Sequence, residues 1–388
     1  MNYILFDGEF RNQLLPFTYT RPVADIRIGI LTIREKWNQQ LNTSCGTITD
    51  SYLQNKFAIQ SGKENMLINA AYLPDENLLS TVKNLSLKEK LVQNNKVIAA
   101  GYDGVVQDAK SMQENMTLLS AVEYKGVLNA INHIWDIFQK NQSELEKDFE
   151  QITSGRTSAK VPASNQIIGS GKVFLEEGAK VECSIINTNN GSVYIGKDAE
   201  VMEGCLIRGP FALCNNSTLK MGAKIYGATT VGPQSKVGGE VNNSVIFGYS
   251  NKAHDGFLGN SVIGEWCNLG ADCNNSNLKN NYSSVKVWSF EKNEYVDTGL
   301  QFCGLFMGDH SKASINTMFN TGTVVGVCSN IFGASFPPKY VPSFSWGGAD
   351  GFESFDLKKA KDMAIRVMNR RDILFTKEDE AIFDQVSK

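Results

Sequence analysis

The 388-residue sequence has no CxxC pair among its eight cysteines, three histidines in all, and no run approaching 18 apolar residues. Cysteines at 45, 183, 205, 214, 267, 273, 303 and 328 do not pair into a disulfide framework; in a chain this long they read as reduced, buried thiols. The lack of a long apolar run excludes a membrane-spanning helix. Met1 to Asp7 has neither a basic stretch nor an apolar core, so it does not read as a signal peptide. Charge of one sign is lacking too: 38 basic against 41 acidic side chains leave a net charge of −3, which excludes a strongly cationic nucleic-acid binder. The expectation is a soluble, cytoplasmic protein with no nucleic-acid and no membrane partner. With 42% hydrophobic and 20% charged residues, the length suits two domains, each with a full core.

What the sequence does have is a repeat. Stepping by six from Ile195 meets Val201, Ile207, Leu213, Leu219, Ile225, Val231 and Val237, all aliphatic. Chance would produce that in a chosen register with a probability of ~10⁻⁵. A second run, out of phase, holds Val245, Asn251, Phe257, Ile263 and Leu269. A third holds Met307, Ala313, Phe319, Val325 and Ile331, and a weaker lead-in holds Val173, Ala179 and Ile185. Period six fits neither a 3.6-residue helix nor alternating strands. It fits a parallel β-helix in which each face is a short strand and a turn, three faces make an 18-residue coil, and one aliphatic side chain per face points inward. A β-sandwich is the alternative, but its strands alternate at two and space irregularly. The segment Ser276 to Phe302 interrupts the period and reads as a loop or small hairpin thrown off one corner, where function often sits.

The ends differ. Residues 1–150 read as an α/β domain with strands at Asn2–Phe6, Met66–Asn69 and Lys96–Ala99. A helix is expected over 121–149, with Val127, Ala130, Ile131, Ile134, Ile137 and Phe138 on one face and His133 among its packed or surface positions. Residues 151–165 lack periodicity and read as a linker, and 166–338 form the β-helix. Residues 339–388 are a C-terminal extension: the prolines from Phe336 to Pro342 end the ladder, and a helix over 356–369 caps the open end of the prism.

Two stretches then carry a resemblance. Lys252 to Ala271 (KAHDGFLGNSVIGEWCNLGA) resembles the acetyltransferase motif of the bifunctional UDP-N-acetylglucosamine pyrophosphorylase/glucosamine-1-phosphate acetyltransferases. Ser276-Asn-Leu-Lys, Val285-Lys-Val, Asp297-Thr-Gly and Gly304-Leu-Phe-Met-Gly-Asp-His are similar to the archaeal sugar-1-phosphate nucleotidylyltransferase/acetyltransferase relatives. At the N-terminus, Arg11 followed by Leu14-Leu-Pro-Phe-Thr-Tyr-Thr-Arg-Pro resembles part of the sugar-phosphate nucleotidylyltransferase signature loop. The whole chain resembles GlmU-like proteins with a short, divergent N-terminal domain. That resemblance implies a nucleotidylyltransferase-like α/β domain followed by a left-handed parallel β-helix of hexapeptide repeats, a homotrimer, and sites between neighbouring prisms.

Moving an acetyl group from a thioester to an amine needs the amine deprotonated, and histidine suits that task. The resemblance implies His254 as this base; the alternative is a hydrogen-bonded turn histidine. It implies that Asn268 and Asn277 contact an amino-sugar phosphate such as glucosamine-1-phosphate, and that the Ala271 amide polarises the acetyl carbonyl. Lys279 and Lys286 are candidate counter-charges for the sugar phosphate, or else solvated loop lysines. Acetyl-CoA would pass near Asp309 and Val327, with Lys339 meeting its phosphates. Phe257 replaces the usual tyrosine, and Asn242 the lysine of the preceding coil. In the N-terminal loop, Gly8 and Arg11 are the nucleotide-binding candidates, with UTP as the nucleotide. Asp7 and Glu9 would repel a triphosphate unless Mg²⁺ intervened. The metal ligands are open, Asp75 and Asp103 being guesses. The rivals are a nucleotidylyltransferase with a purely structural β-helix, and a non-catalytic sugar-nucleotide-binding protein.

Overall fold

The computed structural model describes all 388 residues. The N-terminal domain is built on a six-stranded sheet ordered Gly46–Ile48, Asn2–Phe6, Glu64–Asn69, Lys96–Asp103, Glu89–Gln93, Ser120–Glu123. The first three strands run parallel. The expected strands at 2–6, 66–69 and 96–99 are all present, the last two longer than expected.

The helix expected over 121–149 is not one element. Ser120–Glu123 is an edge strand parallel to Glu89–Gln93, Val127 is 90% exposed, and helix begins only at Asp136 and Asn141. Ala130, Ile131, Ile134, Ile137 and Phe138 are buried as expected. Ala130 meets its neighbours through a β-bridge to Tyr72. Pairing with the sheet overrides the local 3.6-residue pattern. His133 therefore lies in a turn, half-buried and stacked on Trp135 at 4.3 Å.

The remainder is a three-faced parallel β-solenoid. On the first face lie Gln166–Ile168, Ile185–Asn187, Leu206–Arg208, Lys224–Tyr226, Glu240–Asn242 and Phe257–Gly259. The second starts at Val173–Leu175 and the third at Lys180–Val181. Every aliphatic of the run from Ile195 to Val237 and of the run from Met307 to Ile331 is in the interior column, at 4% exposure or less.

Between those runs the register differs from the expected one. The strand pairings put Ile246, Lys252 and Leu258 inward in place of Val245, Asn251 and Phe257, and Ile186 in place of Ile185. After Val237 the cause is a short corner: Val241 follows Val237 by four residues instead of six, and both point inward; ahead of the first run Ile186 follows Val181 by five. A short apolar strand cannot reveal which of two adjacent aliphatics faces the core.

Val245 is buried for another reason. With Phe247, Val262, Phe306 and Val324 on the outside of the second face, it joins Leu14, Phe17, Ile26 and Phe138 of the N-terminal domain in one continuous core. Helix Asn141–Thr153 extends the contact through Leu145 and Phe149, which pack on Phe174, Tyr194 and Ala212. Its Lys36–Asp148 and Lys36–Glu144 ion pairs, at 2.5 and 3.1 Å, are buried.

The C-terminal end also differs from expectation. Pro337 and Pro338 lie in the unpaired stretch between Asn330–Ile331 of the third face and Tyr340–Val341 of the second, and the ladder resumes at Tyr340–Val341 and Ser345–Gly348. Gly351–Ser354 turns back antiparallel on Ser345–Gly348 and carries Phe352 against the interior. Helix Leu357–Asn369 lies along the side of the solenoid instead of across its end. Ala360 and Ala364 pack on Val327, Cys328 and Phe344 together with Phe383 of a second helix, Lys377–Val386. Seven cysteines are buried, Cys183 is exposed, and none is paired. No helix is long and apolar enough to cross a membrane.

Candidate functional site

Two faces of the solenoid are uncovered, the third presenting exposed Lys180, Lys236 and Asn268. The second is covered by the N-terminal domain, and the corner after it by the two C-terminal helices. The first stays open, with Ile168, Ile185 and Leu206 at 37%, 38% and 47% exposure beside a groove of about 430 Å³.

His254 stands on the corner leading into that open face, between Asn251–Lys252 and Phe257–Gly259. It is the one exposed histidine. His310 is buried beneath Phe383 with its Nδ1 lacking a partner, and burial pushes its imidazole well below the usual range. His133 is half-buried with its imidazole pushed down for the same reason. The next coil stacks directly on the His254 corner, Asp272 donating its amide to the Asp255 carbonyl at 3.0 Å. Ala271 is thus one rung from His254, and its amide donates to no other group of the chain.

The other candidates lie elsewhere. Asn268 is exposed on the third face, level with Asn251 and Lys312. Asn277 is on the far edge of the first face, donating to Asn260 Oδ1 at 2.8 Å. The insertion leaves from that far edge and is not thrown outward. Its hairpin, Lys286–Ser289 with Glu294–Asp297, folds onto the N-terminal domain: Val285 and Val287 are buried there, and Phe290 meets Tyr19 edge-on. Lys279 Nζ donates to the Ser284 carbonyl at 2.5 Å, while Lys286 stays exposed. Within one chain, His254 and the insertion therefore occupy opposite edges of the first face.

Asp309 and Val327, expected beside acetyl-CoA, are both buried. Val327 is 1% exposed under the C-terminal helices. Asp309 is buried in an ion pair with Arg21 and accepts a hydrogen bond from Thr20 at 2.6 Å. Lys339, half-buried, donates to the Lys286 carbonyl at 2.9 Å.

The N-terminal loop is as occupied. A cavity of about 530 Å³ lies outside the carboxyl ends of Asn2–Phe6 and Gly46–Ile48, where parallel sheets commonly bind ligands. Arg11 is on its wall, but its guanidinium is consumed by Asp7 at 3.1 Å, Asp50 at 2.8 Å, the Thr18 carbonyl at 2.6 Å and Tyr52 at 3.0 Å. Asp7 in turn accepts from the Val23 amide and Thr49, and burial pushes its carboxyl up to about 6. Gly8 is needed for space: a Cβ there would stand 2.3 Å from Asn69 Nδ2. Asp75 caps helix Glu76–Lys83, and Asp103 is exposed at the end of its strand; neither lines the cavity. With Asp7 and Asp50 engaged by Arg11, the carboxylates here do not form a ligand set for Mg²⁺.

Two buried charged side chains escaped the sequence reading. Arg21 was visible only as the end of the loop motif, although it bridges the domains. Lys252 fell outside the expected register; it is 3% exposed in the solenoid interior, where burial pushes its amine down to about 8.

Comparison with known proteins agrees with this layout. Residues 3–157 match the sugar nucleotidyl transferase family. A bifunctional sugar-1-phosphate nucleotidylyltransferase/acetyltransferase of Sulfurisphaera tokodaii is 26% identical over 227 residues, 58% of this chain and 50% of that protein. The bifunctional protein GlmU of Methanococcus maripaludis (strain C5) is 26% identical over 290 residues, 73% of this chain and 63% of that protein. GlmU of Methanocaldococcus jannaschii is 24% identical over 267 residues, 69% of this chain and 56% of that protein. The chain thus matches about half to two-thirds of the length of these relatives. Residues 3–157 are thus similar to the sugar nucleotidyl transferase family, and about 58–73% of the chain is similar, at 24–26% identity, to bifunctional proteins of the GlmU type.

Proposed function

We propose that this protein transfers acetyl from acetyl-CoA to the amine of an amino-sugar 1-phosphate of the glucosamine-1-phosphate class. The observation that carries the reading is the exposed His254 on a solenoid corner, one rung below the unengaged Ala271 amide. His254 takes a proton from the sugar ammonium, and the freed amine attacks the thioester carbonyl. The Ala271 amide donates to the oxyanion that forms. The C–S bond then breaks, the imidazolium returns a proton to the leaving thiolate, and the acylated nitrogen loses its second proton to water as the amide forms. The names and 24–26% identities of the GlmU-type relatives support this reading.

The cytoplasm is the compartment that fits such a substrate. The assembly is a homotrimer joined along the open first face. Its exposed Ile168, Ile185 and Leu206 support that, as does the separation of His254 from the insertion, which a neighbouring copy bridges. Asn277, Lys279 and Lys286 of one copy then hold the sugar phosphate against His254 of the next.

The N-terminal domain binds a sugar nucleotide or orients the trimer, because its loop arginine is already neutralised. Incubation with glucosamine-1-phosphate, acetyl-CoA, UTP and Mg²⁺, with thiol and pyrophosphate followed separately, tests both domains. Thiol release without pyrophosphate is expected, falling ~10²–10⁴-fold in His254→Ala. Pyrophosphate release favours the nucleotidylyltransferase reading, and neither product overturns the assignment.

A further inference from the structure

The third-face column of the solenoid interior reads Val181, Val201, Leu219, Val237, Lys252, Leu269, Ala313, Ile331. One member carries a charge. An ammonium among aliphatic side chains is costly unless its donors are met, so its retention needs a local reason.

The reason lies in the corner below. Five interior steps from the third face to the first span six residues (201 to 207, 219 to 225, 252 to 258, 269 to 275 and 313 to 319) and one, 181 to 186, spans five. The step from Val237 to Val241 spans four. The short corner at Gly238–Gly239 supports the longer one above it at its two ends only: Gly238 donates to the Lys252 carbonyl at 2.8 Å and Glu240 to the Gly256 carbonyl at 3.2 Å. The middle of the upper corner is His254, whose carbonyl accepts no backbone amide.

Lys252 Nζ fills that gap. It donates to the His254 carbonyl at 2.7 Å and to the Gly238 carbonyl at 3.0 Å. A Cβ at Gly239 would stand 2.9 Å from the amine, so the glycine leaves room for it. Asp255, Asp272 and Cys273 are the titratable groups around it.

We propose that Lys252 is a positioning residue that ties the His254 corner to the shortened corner beneath it, holding the imidazole at the height of the Ala271 amide. This rests on the reading of His254 as the base.

Hydrogen exchange and acetyl-transfer kinetics on the full-length protein, wild type against Lys252→Met, test it. Methionine suits an apolar column, and Lys252→Leu, matching Leu219 and Leu269, repeats the test. The expected result is exchange at residues 253–256 about tenfold faster, with 219–226 unchanged. The kcat falls about tenfold or more, while KM for acetyl-CoA stays within about twofold, because a misplaced base costs rate and not binding. Unchanged exchange at 253–256 overturns the tether, as does an equal rise along the whole solenoid. A loss confined to KM overturns the positioning role. Failure of both variants to fold also overturns it, since the lysine would then be holding up the ladder itself. If the wild type transfers no acetyl group, the His254 reading fails while the exchange comparison still decides the tether.

Discussion

Arg21 and Asp309 form a buried ion pair across the two domains, so the end of the N-terminal loop is fastened to a solenoid corner 288 residues later. The Arg21 guanidinium also reaches Glu265 at 3.3 Å and lies over the Phe247 ring at 5.1 Å. The segment that the loop motif associates with phosphate is here an interdomain clamp.

Removing one partner of a buried pair leaves an uncompensated charge. Arg21→Met and Asp309→Asn are each expected to cost about 3 kcal/mol or more in unfolding free energy, read by denaturant titration. In Asp309→Asn the KM for acetyl-CoA should stay close to that of the wild type. A selective loss of acetyl-CoA affinity at unchanged stability would return Asp309 to the cofactor.

A site shared between copies predicts complementation. Chains carrying His254→Ala, and chains carrying Lys279→Ala with Lys286→Ala, should each be nearly inactive. Co-expressed, they should recover about a quarter of wild-type activity, the share of seams that pair two intact half-sites. No recovery above the separate variants would place both halves in one chain.

The open first face offers a further test. Leu206 is 47% exposed between Ile185 and Lys224 on neighbouring strands. A glutamate there brings charge onto apolar surface that a second copy would cover. Leu206→Glu should shift the protein to single chains by light scattering with little change in far-ultraviolet circular dichroism, and acetyl transfer should fall with the assembly.

Lys252 gives a dependence on pH. Burial holds its amine at about 8 when folded, with Asp255, Asp272 and Cys273 around it, against the ordinary 10.5 of a lysine. Between those values the unfolded chain holds the proton and the folded chain does not, so raising the pH favours folding. The stability of wild type relative to Lys252→Met should be flat below pH 8. It should then rise by about 3 kcal/mol towards pH 10.5, measured as the difference between the two denaturation curves. A flat difference across the range would mean that the amine is not desolvated.

The solenoid and the N-terminal α/β domain were legible in the residues alone, and His254 was legible as a candidate, while its exposure and its distance from the insertion were not. A six-residue aliphatic period admits few other folds, and a motif beside one of three histidines singles that residue out. What periodicity could not resolve was the register between Val237 and Ile263. There two adjacent aliphatics, Val245 and Ile246, are both buried, one against the N-terminal domain and one in the interior. Only tertiary structure decided the partners of Arg11, Arg21, Asp309 and Lys252. Those partners come from segments far apart in the chain, and a charged side chain's role depends on which atoms burial brings within hydrogen-bond reach.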